Sequence, residues 1–286
     1  MQQILPILLI VLSLNSADIH FGYGSDAMNK YNKKETMIAM EVWIQEIMQG
    51  DKDKVYFTFY DDSQKMAKEF EAAKLDMVVT YGLEFVKYFD KSQLISSVTG
   101  GSKNPQLDNF VLLVDKESSK EEFLALKNPK IAVPADEEIS KIYVKHYFLK
   151  NTKKENIDFV NASKHQEAIF KLFFKNVDAA LVSQKSFLFA EELNPQIGQN
   201  LKVIEYSSIT SRGFAFFRKS MDEKVREKII AKALALNSTN RGRQILDVFQ
   251  TEEIIESTLD ELSPIEQLYS DYKKLKKQNQ GYSNDK

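Results

Sequence analysis

Two stretches of the chain carry the same hydrophobic pattern. Between Lys65 and Val86, apolar Met66, Phe70 and Ala73 share one helical face, Lys74-Leu75 turns, and Asp76 opens the run Met77-Val78-Val79 that closes on Thr80-Tyr81. Between Glu167 and Phe187, Ile169, Leu172 and Phe173 form the face, Asn176-Val177 turns, and Asp178 opens Ala179-Ala180-Leu181-Val182 before Ser183-Gln184. An apolar-faced helix leading into a continuously apolar strand predicts an α/β unit whose strand is covered on both faces. Two copies predict two similar lobes. In open α/β sheets ligands gather outside the carboxyl ends of the strands, so Thr80-Tyr81 and Ser183-Gln184 are expected to face a shared crevice. Asp76 and Asp178 begin their strands at the opposite end, where the expected role of an aspartate is to bond nearby backbone.

The rest of the pattern extends this alternation. Ile19-His20-Phe21-Gly22-Tyr23 reads as a strand ending in the turn Gly24-Ser25-Asp26; a helix capped by Thr36 follows, with Ile38, Val42, Trp43 and Ile47 at helical spacing up to Gly50. Val55 to Tyr60 alternates as the next strand. Beyond Tyr81 come a helix from Leu83 to Phe89, a loop from Gly100 to Pro105 and an apolar strand from Phe110 to Val114. A second series then runs through a helix (Ser118 to Leu126), a strand (Ile131 to Pro134), a helix (Ile139 to Leu149), a strand (Ile157 to Val160), the second repeated unit and Leu201 to Tyr206. Gly213 to Arg218 is a further strand, and helices from Met221 to Leu236 and Thr239 to Phe249 close the pattern. Such alternation predicts mostly parallel sheets flanked by helices. In Ser263 to Lys286 only Ile265, Leu268 and Tyr272 are amphipathically spaced, and this polar, lysine-rich tail is expected to fray.

Composition narrows the function. With 39 basic against 41 acidic residues among 286, no global field recruits nucleic acid or an anionic membrane surface. The absence of cysteine removes disulfides, thiolate nucleophiles and cysteine metal sites together. Residues 1–17 hold an apolar run from Ile4 to Leu14, too short to span a bilayer core of about 30 Å but suited to a secretory signal, with Asn15-Ser16-Ala17 small enough for cleavage. A buried first strand or an uncleaved anchor is the alternative for this run. The three histidines are far apart in sequence, and no zinc-protease helix motif, nucleophile elbow or glycine-rich phosphate loop occurs. No enzyme activity, metal or cofactor is expected.

The order of elements resembles the type II periplasmic-binding-protein fold and, within it, the phosphate, phosphite and phosphonate substrate-binding proteins of ABC transporters. The resemblance rests on Leu75 to Tyr81, on His165-Gln166-Glu167-Ala168 followed by Val177 to Ala180, and on the run Arg218 to Arg226 into a helix. It covers the chain from about Asp18 to Glu256. It implies two lobes joined by two crossovers near Asp115 and Tyr206: residues 18–115 with 206–262 as one lobe, residues 116–205 as the other, and 263–286 as the tail. It also implies ligand contacts at Tyr23, Tyr81, His165 and Ser140. Hydroxyl and imidazole donors, together with the free N–H groups of helix starts, suit an oxyanion.

Two features bear on the ligand independently. Arg212, in the segment before Gly213, can clamp a carboxylate or phosphate bidentately, or can be a solvated loop charge. Asp136-Glu137-Glu138, where anion-binding relatives carry small hydroxyl residues, would repel a phosphate-like ligand unless turned away, and would favour a cationic or zwitterionic one if it faced the cleft. The candidate ligand set is therefore Tyr23, Thr80, Tyr81, Ser140, His165, Ser183 and Arg212. The expected function is a secreted, periplasmic, monomeric binding protein that closes on a small polar ligand for an ABC permease. The alternative is a sensing module for a membrane receptor or histidine kinase with a non-anionic ligand.

Overall fold

The computed structural model describes residues 18–24, 33–47, 53–102, 104–135, 137–210, 212–248 and 251–284. The expected signal segment 1–17, the turn residues Ser25 and Asp26, Gly50 and Asp136 lie outside them, as does the side chain of Thr36. The first half runs β1 (Asp18–Gly24), α1 (Lys33–Ile47), β2 (Lys54–Tyr60), α2 (Ser63–Glu71), β3 (Met77–Tyr81), α3 (Gly82–Tyr88), β4 (Leu94–Ile95), β5 (Ser97–Gly101) and β6 (Asn109–Asp115). The middle runs α4 (Lys120–Ala125), β7 (Lys130–Pro134), α5 (Glu138–Thr152), β8 (Asp158–Ala162), α6 (His165–Phe173), β9 (Ala179–Ser183), α7 (Gln184–Leu193), α8 (Pro195–Asn200) and β10 (Leu201–Thr210). The chain ends with β11 (Gly213–Arg218), α9 (Glu223–Leu234), α10 (Asn240–Val248), β12 (Glu253–Ser257) and α11 (Ser263–Asn284).

Two five-stranded sheets result, in orders β2-β1-β3-β11-β4 and β8-β7-β9-β6-β10. In the first, β1 pairs parallel with β2 and β3, and β11 is antiparallel to both of its neighbours. In the second, β7 pairs parallel with β8 and β9, and β6 is antiparallel to β9 and β10. Each sheet is thus mostly parallel with one reversed strand. The reversed strand is β6 in the second sheet, reached from the first by way of β5, and β11 in the first sheet, reached directly from β10 of the second.

The chain therefore leaves the first sheet after Ile95, passes through β5, enters the second sheet at Asn109 and returns between Thr210 and Gly213, not near Asp115 and Tyr206. The apolar run Phe110 to Val114 is buried throughout and hydrogen-bonded on both edges inside the second sheet, so β6 belongs wholly to it. β10 follows β6 for the same reason.

The repeated units match down to the backbone. After α2, Ala73 takes φ 58°, and after α6, Lys175 takes φ 58°. In both, the amide of that residue bonds back three residues and the next amide bonds back five: Ala73 to Phe70 and Lys74 to Glu69, then Lys175 to Leu172 and Asn176 to Lys171. This double bond to the last helical carbonyls is the Schellman closure of a helix end. The aspartates then tie neighbouring strands together. Asp76 Oδ2 accepts from the His20 amide at 2.8 Å, and Asp178 Oδ2 accepts from the Lys130 amide at 2.7 Å, while each aspartate's own amide donates back to the same residue's carbonyl.

Two expectations are overturned at the chain's later end. Gly100 and Gly101 are not loop but strand, paired with β12, which the pattern did not reveal. The polar tail is the helix α11; Ile265, Leu268 and Tyr272 are buried in the largest apolar cluster with α3 residues of the first unit and α5 residues of the second. A helical stripe of three apolar residues finds a receptive groove there, and tertiary packing overrides the polar composition.

Candidate functional site

At the carboxyl ends of β1, β3 and β9 the two sheets face a cavity of about 330 Å³. This is the crevice that the strand order predicts for an open α/β sheet. Tyr23, Tyr81, His165, Ser183 and Arg212 line it. Thr80 and Ser140 do not.

Thr80 fails on strand parity. Side chains alternate across a strand, so with Val79 and Tyr81 on the cavity face Thr80 must point the other way. It is fully buried there, and its Oγ1 would lie 2.7 Å from a β-carbon placed on Gly24, which is why β1 ends in a residue without one. Ser140 is also fully buried, on the first turn of α5, where its hydroxyl donates to Glu137 Oε2 at 2.9 Å.

The acidic segment is divided. Glu137 is 2% exposed and turned into the protein, with Oε1 3.6 Å from His165 Nε2. Glu138 points outward and receives Lys87 Nζ at 2.7 Å, a link from α5 of one unit to α3 of the other. Burial opposes charging Lys87, but the bond to Glu138 and the field of Glu84 outweigh it and raise its pKa. Neither described carboxylate lines the cavity, so the repulsion expected of this segment does not come from Glu137 or Glu138.

His165 opens α6, and its Nδ1 accepts the Ser183 amide at 3.2 Å. An accepting Nδ1 places the ring proton on Nε2, toward Glu137. Ser183 in turn caps α7, its Oγ accepting from the Ser186 amide. Both side chains are thereby fixed in orientation at the cavity edge.

Arg212 is no solvated loop charge. Its side chain is 14% exposed, its Nη2 pairs with Glu261, and it lies over the Phe214 ring at 5.3 Å. Nε and Nη1 are shut away from water without a hydrogen-bond partner among the described residues. Burial lowers its pKa while Asp108 works to raise it, and a guanidinium keeps its proton in proteins in any case. Two buried, unanswered donors on a cation are costly unless a ligand answers them.

Several lining residues escaped the sequence reading. Ser102, Asp108 and Lys185 add polar groups, while Met40, Trp43, Ile245 and Ile254 add an apolar wall. Lys185 pairs with Glu252 across the two units. Burial raises the Asp108 pKa against the pull of Arg212 and Lys185. The glycine pair before Ser102 is the signal that could have located this edge: both glycines line the cavity, and a β-carbon would lie 2.8 Å from Thr251 Oγ1 at Gly100 and 2.7 Å from Ile255 Cδ1 at Gly101. Among the described residues no group of three or more His, Asp or Glu is placed to hold a metal ion.

Comparison with known families decides the identity of this arrangement. Residues 28–262 match the family described as the phosphonate ABC transporter periplasmic substrate-binding protein. The chain belongs to that family. Its members are substrate-binding components of transport, not enzymes. Solved structures agree on the fold. A binding-protein component of an ABC phosphonate transporter from Pseudomonas aeruginosa is similar with TM-score 0.60 and 18% identity, over 93% of this chain and 89% of that one. A Prochlorococcus marinus protein in complex with methylphosphonate is similar with TM-score 0.58 and 17% identity, over 89% and 97%. A Xanthomonas citri protein bound to ATP is similar with TM-score 0.61 and 10% identity, over 92% and 99%. At these identities the likeness establishes the type II periplasmic-binding-protein fold. A comparison with curated proteins finds no match.

Proposed function

We propose that the chain captures an organic phosphonate in the cavity between its two sheets and presents it, as a monomer in the periplasm, to the permease of an ABC importer. The observation that carries the ligand class is Arg212, a cation that lines the cavity and whose Nε and Nη1 are buried without a hydrogen-bond partner among the described residues. Lys185 adds a second cation and the Ser183 and His165 side chains add polar groups. Two lobes built around the two sheets would close on the ligand through contacts made only in the closed form. The apolar segment 1–17 would direct secretion and be removed near Asp18. The importer reading is favoured over a sensory module because the family match is to a transport component.

The test is a thermal-shift and calorimetric titration of the mature chain with methylphosphonate, phosphite, phosphate, sulfate and amino acids. Ligands that bind only the native state raise the melting temperature with RT ln(1 + [L]/Kd). Phosphonate should raise it. Arg212→Gln should weaken phosphonate binding by roughly ten- to a hundred-fold, the worth of a hydrogen bond to a charged group. Stabilisation by amino acids alone, with none from phosphonates, would refute the proposal.

A further inference from the structure

The cavity has two chemically different sides. Met40 and Trp43 of α1 share an apolar cluster with Tyr23, Val79 and Tyr81, and Trp43 also packs into a second cluster with Val98 and Ile254. Ile245 and Leu246 of α10, both buried, line the same cavity. All of these belong to the first sheet, to β5 and β12, or to the helices packed on them. The charged and imidazole groups gather beside one another: Asp108 feels the charges of Arg212 and Lys185, and His165 is bonded to the Ser183 amide.

A small oxyanion answers only the polar side. At about 30 Å³ per water, the cavity has room for roughly ten waters, and a phosphorus with three oxygens fills well under half of that. Inorganic phosphate or methylphosphonate would leave Trp43 and its neighbours facing water. Small-molecule pockets bury most of the ligand's surface against apolar and aromatic side chains, with a few polar groups that fix orientation.

We infer that the ligand is an amphipathic phosphonate whose substituent is apolar and about the size of an aromatic ring. The head group lies toward Arg212, and the substituent lies against Met40, Trp43, Ile245 and Ile254. This rests on the phosphonate reading above and adds the class of substituent.

Trp43 is the single tryptophan of the chain, so its emission reports on that side alone. The experiment compares phenylphosphonate with methylphosphonate by calorimetry and tryptophan fluorescence on the full mature protein. Phenylphosphonate should bind about ten- to a hundred-fold more tightly, the contribution of burying one large apolar side chain, and should shift the Trp43 emission more than methylphosphonate does. In Trp43→Ala the affinity ratio between the two ligands should collapse toward one. A folding defect would weaken both ligands together and leave the ratio intact. Methylphosphonate binding as tightly as phenylphosphonate in the unaltered protein overturns the inference and leaves the phosphonate reading standing. If neither phosphonate binds, that reading falls and the inference with it.

Discussion

Replacing Ile265 by alanine tests whether the C-terminal helix is part of the protein's frame. Ile265 is 2% exposed and sits in the cluster shared by both units. Its Cδ1 would lie 2.4 Å from a β-carbon on Gly82, so α11 rests directly on the start of α3. Removing three carbons from such a site costs the lost transfer free energy plus a cavity, about 2–5 kcal/mol. For a chain of this length each kcal/mol moves the melting temperature by roughly 2–4 °C, so a loss near 3 kcal/mol lowers it by about 6–12 °C. A substitution on a frayed tail would stay within about 0.5 kcal/mol. Differential scanning calorimetry separates the two outcomes cleanly, with the exposed Lys273→Ala as the control on the same helix. A melting temperature for Ile265→Ala within about 1–2 °C of the parent, in the range expected for an unpacked residue, would show that α11 contributes nothing and would refute the packing argument. Ending the chain after Leu262 should then be at least as damaging as the point substitution.

Two further outcomes follow from charge. Burial raises the Asp108 pKa, so its contribution to stability is fully present below the unfolded carboxylate value and is lost as pH rises through the folded one. Asp108→Asn should accordingly gain in melting temperature relative to the parent as pH rises from the ordinary carboxylate range toward neutral, and by removing an anion beside Arg212 and Lys185 it should tighten phosphonate binding; an unchanged pH difference would refute the first claim and weaker binding the second. Glu167 behaves oppositely. Bonds from the Ser163 hydroxyl and amide, and from Lys171, lower its pKa from 4.5 to about 2, so its contribution is present above 4.5 and is lost as pH falls toward 2. Glu167→Gln should flatten that part of the acid-stability curve, and identical acid limbs in the two proteins would contradict the assignment.

What the sequence could and could not disclose follows from what each signal measures. The repeated helix-strand units were legible because their apolar positions carry a clear period, and the two aspartates were legible as strand anchors because they precede rather than follow the apolar runs. The facing of Thr80 was not legible. Met77 to Tyr81 is covered on both sides, and a strand apolar on both faces has no alternation from which to read which side meets the cavity. The pairing of Ser97–Gly101 with Glu253–Ser257 was hidden for another reason, because glycines imitate a loop and the partner strand lies far along the chain. The sheet changes were misplaced because an apolar strand says that it is buried, not in which sheet.

Arg212 and Trp43 show the same limit at the site itself. As a residue type Arg212 reads equally as clamp or solvent charge; only its position over Phe214, with Glu261 answering Nη2 and nothing described answering Nε and Nη1, separates the two. Trp43 read as one position of a helical stripe, and that reading was correct as far as it went, since it packs with Met40 in the core. Yet the same side chain also forms a wall of the cavity. Helical periodicity identifies the face that turns inward but does not distinguish packed core from ligand cavity, because both are apolar and both lie on that face. The distinction arises only where the pairing of β5 with β12 places Gly100, Gly101 and Ile254 on the same cavity wall as Trp43. Of the charged groups lining this cavity sequence nominated Arg212 alone, and its apolar lining is set by long-range strand pairing that sequence pattern does not reveal.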